Sequence, residues 1–216
     1  MSAAREQVLS RVRTALGRGE PGDAQVAEIR ARIERHPRHI EPVFDEPAPL
    51  RFRQKLEAAE ASCATLDSLA QVGAEVERYL DQAGVAKRLV VSGDELLQSI
   101  DWPASIDVRP WVAGSDERVS LTSAHRGIAE TGTLMLLSGE NNPTRLNFLP
   151  DYHIVVLTAD QLVLRMEDAW DSLRSCFGEM PRTVNFISGP SKTADVEQTV
   201  EYGAHGPRCL HVILVG

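Results

Sequence analysis

The stretch Ser188-Gly189-Pro190-Ser191-Lys192-Thr193-Ala194-Asp195-Val196-Glu197-Gln198-Thr199-Val200-Glu201-Tyr202-Gly203-Ala204-His205-Gly206-Pro207 separates two apolar runs. These are Val184-Asn185-Phe186-Ile187 before it and Leu210-His211-Val212-Ile213-Leu214-Val215 after it. Both runs are short and rich in β-branched or aromatic residues, so both read as buried strands. Ser188 to Ser191 is a small-residue turn, after which Thr193 or Asp195 is placed to cap a helix of about two turns. Gly203 is suited to end that helix in a left-handed conformation. The expectation is therefore a βαβ unit. Its turn lies outside the carboxyl end of a strand and beside a helix N-terminus, where open α/β sheets bind ligands.

The same alternation extends upstream. Arg51–Cys63 and Leu66–Ala83 have helical patterning, and Arg88–Val91 reads as a strand closed by Ser92-Gly93-Asp94 and a short helix. An irregular region around Trp102-Pro103 follows. Val119–Thr122, Leu134–Leu137 and His153–Leu157 are further apolar runs, and Arg165–Phe177 is helical. Strands alternating with helices predict an α/β sandwich built on a mostly parallel sheet.

The amino-terminal part is different. Residues 1–36 carry apolar positions at helical spacing, Val8, Val12 and Leu16, then Val26, Ile29 and Ile33, which predicts two amphipathic helices. Pro37, Pro42, Pro47 and Pro49 make residues 37–49 an extended linker, and the α/β domain then occupies residues 50–216. Residues 1–40 hold eight arginines against five acids, a net +3 within a chain whose total is −8. The basic arm suits an acidic partner, the protein's own acidic body or, less well because its apolar faces lack Trp and Phe, a membrane surface. Solvated arginines on packed helices explain it equally well.

The overall acidic charge argues against a general nucleic-acid binder. Cys63, Cys176 and Cys209 lie far apart and form no Cys-x-x-Cys pair, so neither a disulfide framework nor an iron–sulfur ligand run is expected. No apolar run reaches membrane-spanning length and no secretory h-region opens the chain, so a cytoplasmic protein is expected.

Three stretches concentrate polar chemistry beside apolar runs. In Ala129-Glu130-Thr131-Gly132-Thr133 the glutamate suits a nucleophile, a base or a structural turn carboxylate. In Asn141–Arg145, Arg145 suits bidentate binding of an anion or a surface ion pair, while His153 reads as a core residue. In the third, Ser188, Ser191, Lys192 and Thr193 offer hydroxyls, N–H groups and a cation at a helix start. The last is not a Walker A loop, because Ser191 precedes the lysine where that loop needs glycine. His153, His205 and Asp195 have no local ligand spacing such as H-E-x-x-H, so no metal is expected.

Together, Ala129–Thr133, Leu149-Pro150 with His153, Ser188–Glu197 and Gly203–Pro207 closely resemble the LUD-domain family, over about residues 50–216. Within it, size and motif order are similar to the lactate-utilisation C-type members. The resemblance implies an α/β sandwich with a Rossmann-like sheet, similar to the NagB/RpiA/CoA-transferase fold. It also implies a place in a three-protein bacterial system that oxidises L-lactate to pyruvate, with iron–sulfur clusters on partner subunits and no cofactor on this chain. On that reading Glu130, Asp195 and His205 handle protons or orient a ligand. Thr131, Gly132, Thr133, Arg145, Ser188, Ser191, Lys192 and Thr193 bind a small carboxylate. The alternatives are a stand-alone transferase-like enzyme using Glu130, and a non-catalytic adaptor. A homodimer is the default assembly.

Overall fold

In the computed structural model, β7 (Tyr152–Thr158) and β12 (Cys209–Val215) lie side by side at the middle of a sheet, because both of their faces are apolar. The structure describes residues 3–38, 40–111, 117–194 and 200–216. It divides into two units, Met1–Phe44 and Asp45–Gly216.

The first unit consists of α1 (Ala3–Ala15) and α2 (Asp23–Arg35), the two helices expected from the spacing. Neither buries a residue within the described structure, and Val8, Val12, Leu16, Ile29 and Ile33 are all exposed.

The second unit runs α3 (Ala48–Ala58), β1 (Ser62–Leu66), α4 (Val72–Ala83), β2 (Arg88–Val91), α5 (Glu95–Gln98) and β3 (Asp107–Pro110). Next come β4 (Val119–Ser123), β5 (Arg126–Ile128), β6 (Thr133–Leu137), β7, β8 (Leu162–Val163) and α6 (Met166–Cys176). It ends with β9 (Val184–Ile187), β10 (Lys192–Ala194), β11 (Val200–Tyr202) and β12. Six strands form a parallel sheet in the order β1-β12-β7-β4-β2-β3, and a smaller sheet has the order β8-β5-β6-β9. The α/β architecture with a parallel central sheet is thus the one expected.

Side chains alternate across a strand, so each central strand serves two cores. On one face Ile154 and Val156 of β7 join Ile213 and Val215 of β12 against Val72, Val76 and Leu80 of α4. On the other, Val155, Leu157, Val212 and Leu214 meet Phe52 and Leu56 of α3 and Leu134 and Leu136 of β6. The small sheet is itself two-faced: Met135 and Ile128 turn away to pack on Ala169 and Leu173 of α6. The resulting layers are helix, parallel sheet, small sheet and helix.

Three expectations are corrected. Val184–Ile187 and the final strand do not form one βαβ unit, since β9 pairs antiparallel with β6 in the small sheet and β12 lies in the large one. Thr193 does not start a helix: β10 and β11 are antiparallel arms, with Lys192 opposite Tyr202 and Thr193 opposite Glu201. Asp195, the other candidate cap, lies outside the described residues, and with it the rest of that expected helix. Finally, Ser62 and Cys63 are strand and not helix, and β3 falls in the region read as irregular. Both β1 and β3 are edge strands, half-buried at most, so their sequences carry no apolar run.

Two glycines bring the small sheet onto α3. Gly132 has φ +65° and a Cβ there would stand 2.5 Å from the Leu56 amide nitrogen; at Gly189 it would stand 2.5 Å from the Ala59 carbonyl oxygen. Gly132→Ala is expected to destabilise the fold by about 2 kcal/mol or more, from left-handed strain plus a backbone clash. Gly139→Ala, where an added Cβ meets nothing within 4 Å, is the matched control. Urea denaturation of both variants checks this, and equal midpoints would contradict the packing argument.

Candidate functional site

The β5–β6 turn, the end of β9 and the Gly203–Pro207 loop converge because each hydrogen-bonds the next. Thr133 opens β6 and is buried. Its Oγ1 lies 2.7 Å from Thr131 Oγ1 and 2.7 Å from Ser188 Oγ, giving a chain of three hydroxyls. The antiparallel register, Leu134 opposite Ile187, sets Thr133 beside Ser188.

Ser191 gathers the loop after β11. Its N–H donates to the Pro207 carbonyl at 2.8 Å, its carbonyl accepts from Gly203 N–H at 3.0 Å, and its Oγ accepts from His205 N–H at 3.3 Å. The Ser188–Ser191 turn and the Gly203–Pro207 loop are thereby clasped, although the chain between them is not helical where it is described. Glu60, just beyond α3, fastens the β10–β11 hairpin: its carboxylate meets Lys192 Nζ at 2.8 Å and accepts from the Tyr202 hydroxyl. The Lys192 contact, followed by that of Tyr202, holds the Glu60 carboxyl below the usual carboxylate range.

Between these segments and the parallel sheet lies a cavity of about 250 Å³. Ser188, Ser191 and His205 line it from the loops, Phe148 and Phe186 form walls, and His153 and Asn147 contribute from beneath. His153 is fully buried, with Nε2 at 2.8 Å from Thr122 Oγ1 on β4. Among the described residues, His153 Nδ1 and Asn147 Oδ1 are buried without a hydrogen-bond partner. Buried polar atoms are nearly always satisfied, so two orphans on residues lining one small cavity set this place apart as the candidate site. Burial pushes the His153 imidazole down to about 3, leaving it neutral at physiological pH. A neutral ring has one donor and one acceptor nitrogen.

Ser188, Ser191 and His205 line this cavity together, and Thr131 and Thr133 join it through the hydroxyl chain. Gly132 is the turn glycine that packs on α3. Lys192 is engaged by Glu60, and Thr193 sits in the hairpin. Arg145 is exposed on the short 3-10 turn Thr144–Asn147 and does not line the cavity. Glu130 does not line it either; its N–H donates to the Leu164 carbonyl at 2.9 Å. Asp195 lies outside the described residues. The sequence reading overlooked Asn147, Phe148, Phe186 and Leu210 as lining residues. The only pointer was that Asn147 and Phe148 directly follow the stretch chosen for Arg145.

The cavity's location also corrects an expectation. His153 and Leu210 are the second residues of β7 and β12, so the site faces the amino ends of the parallel strands. The usual ligand position is at their carboxyl ends.

Residues 115–215 match the model of the LUD domain family. Among curated proteins, the chain is similar to lactate utilization protein C. It is 37% identical to that of Halalkalibacterium halodurans over 100 residues, 44% of each chain. It is 31% identical to that of Bacillus subtilis over 136 residues, 57% of each. YkgG of Escherichia coli is 27% identical over 163 residues, 73% of this chain and 69% of that one. The alignments with the lactate utilization proteins thus span about half of those relatives' length. A crystal structure of a DUF162 family protein from Deinococcus radiodurans shares the fold, with a TM-score of 0.61 and 22% identity. That match covers 81% of this chain and all of the other.

Three histidines predict the acid response. Burial pushes His125 to about 4, with Arg126 adding to it, His153 to about 3, and His211 to about 4. All three folded values lie below the ordinary value near 6.5. The unfolded chain therefore takes up protons below pH ~6.5 that the folded chain refuses, so stability is full above that pH and falls toward pH ~4. Each fully buried group contributes up to about 1.4 kcal/mol per pH unit in that window, and half-buried His125 less. Urea midpoints at pH 7.5 and 5.0 should differ accordingly, with a shallower dependence in His153→Gln. Identical midpoints would show that these rings are not held neutral.

Proposed function

We propose that this chain is a subunit, without redox centres of its own, of a cytoplasmic system that oxidises L-lactate to pyruvate. Iron–sulfur clusters on partner subunits would carry the electrons. The observation that supports this most directly is the cavity whose loops are the two clasped motifs and whose lining residues carry two orphaned buried polar atoms. Its volume suits a molecule of a few heavy atoms. Neutral His153, Asn147, Ser188 and the exposed His205 offer donors and acceptors to a small hydroxy or keto carboxylate. His205, with its imidazole at the cavity's open side, is the residue suited to orient a carboxylate or shuttle a proton.

An interface role at the same place is favoured by Phe148, Leu149 and Phe186, which are exposed beside or within the cavity lining. On this reading a partner closes the cavity's mouth and completes the substrate pocket. The basic arm of residues 1–36 would provide a second contact to an acidic partner surface. Among the described residues no helix is long and apolar enough to cross a membrane.

The test is co-expression with the neighbouring genes, followed by L-lactate-dependent dye reduction with and without this chain. We expect a brown, iron-containing complex whose activity needs the chain, and a loss of roughly tenfold or more on His205→Ala. Lactate oxidation that proceeds undiminished without the chain would overturn the proposal.

A further inference from the structure

A second group of residues lies on the opposite face of the parallel sheet and plays no part in the site above. β1 and β12 run parallel with Ser62 beside His211, so the two side chains share a face. Ser62 Oγ lies 2.8 Å from His211 Nδ1, and His211 Nε2 lies 3.1 Å from Glu75 Oε1 on α4. Arg78 grips the same carboxylate with two nitrogens, at 2.6 and 2.7 Å. Tyr79 stacks on the imidazole, centroids 4.1 Å apart and planes within 9°. Ser62 opens the edge strand and is exposed, whereas His211 is buried. Ser62, Arg78, Tyr79, Tyr152, Arg208 and His211 line a cavity of about 580 Å³.

The direction of these hydrogen bonds follows from the chemistry. Arg78 and His211 hold Glu75 ionised against the cost of its burial, so the carboxylate only accepts. Nε2 of the ring must then carry the proton, and Nδ1 presents a lone pair. Ser62 can satisfy that lone pair only by donating its hydroxyl proton. The result is a hydroxyl bonded to a base that is itself oriented by a carboxylate, opening onto a cavity.

We propose that Ser62, His211 and Glu75 form a nucleophile–base–carboxylate relay that hydrolyses small carboxylic esters in this cavity. Ser62 Oγ attacks the ester carbonyl carbon as its proton passes to His211 Nδ1, and Glu75 stabilises the imidazolium through Nε2–H. Collapse of the tetrahedral adduct breaks the ester C–O bond, and His211 returns the proton to the departing alcohol. Water then attacks the acyl–Ser62 carbonyl by the same route, releasing the acid and restoring the serine hydroxyl. No electron acceptor or donor is needed. Arg208, which makes no ion pair among the described residues, gives the cavity a cation for an ester bearing a negative group. Burial holds His211 at about 4, so Nδ1 keeps its lone pair throughout the neutral range.

The experiment treats the full chain with an alkyl fluorophosphonate and, separately, with p-nitrophenyl acetate. We expect one covalent adduct, located on Ser62 by peptide mass spectrometry, and ester hydrolysis that falls at least a hundredfold in Ser62→Ala. Ser62→Ala removes one exposed hydroxyl, so it should retain the wild-type circular dichroism. Glu75→Gln should slow hydrolysis tenfold or more with the adduct still on Ser62; if that variant does not fold, the serine variant alone decides. Folded wild-type protein that carries no adduct on Ser62, or that hydrolyses the ester no faster than Ser62→Ala, overturns the proposal.

Discussion

The two-sided burial of β7 and β12 is the constraint on which the rest depends. A strand with apolar groups on both faces needs a layer above and a layer below, and α4 on one side and the small sheet on the other supply them. The same alternation separates the two histidines near the starts of these strands. His153 shares the parity of Val155 and Leu157 and faces the small sheet, while His211 shares that of Ile213 and Val215 and faces α4. One cavity on each face follows from a period of two and a parallel register.

The candidate site beneath the small sheet depends on close backbone approach. Gly132 and Gly189 let the β5–β6 turn and the turn after β9 contact the end of α3 from two directions, and Glu60 at that end anchors the hairpin. Helix α3 thus acts as the common footing for segments far apart in sequence. Its length and its end are therefore matters of site geometry as much as of core packing.

Legibility in the sequence tracked burial. The central strands β2, β4, β7 and β12 announced themselves as apolar runs, and α6 by its periodicity. The edge strands β1 and β3 did not, because a strand with one open edge and half-exposed faces has no need of such a run. The Lys192–Tyr202 segment misled for a different reason. Thr193 and Asp195 are good capping residues, but the pairing of Lys192 with Tyr202 and their shared attachment to Glu60 are long-range contacts that local propensity does not encode. In the site, the residues of the two clasped motifs, Ser188, Ser191 and His205, were legible. Asn147 and Phe148 were not, since nothing local ties a 3-10 turn to a loop some sixty residues away.

The three hydroxyls of Thr131, Thr133 and Ser188 have an arithmetic of their own. Three protons serve two oxygen–oxygen contacts, so a row in which each hydroxyl donates to the next leaves one proton over at its far end. When the row points one way, Ser188 offers that surplus hydrogen to the cavity; when it points the other way, Ser188 offers only lone pairs. Rotation of the hydroxyls converts one state into the other without displacing a single heavy atom. At Ser188 the cavity wall can therefore present either a donor or an acceptor, to match an acid or its conjugate base.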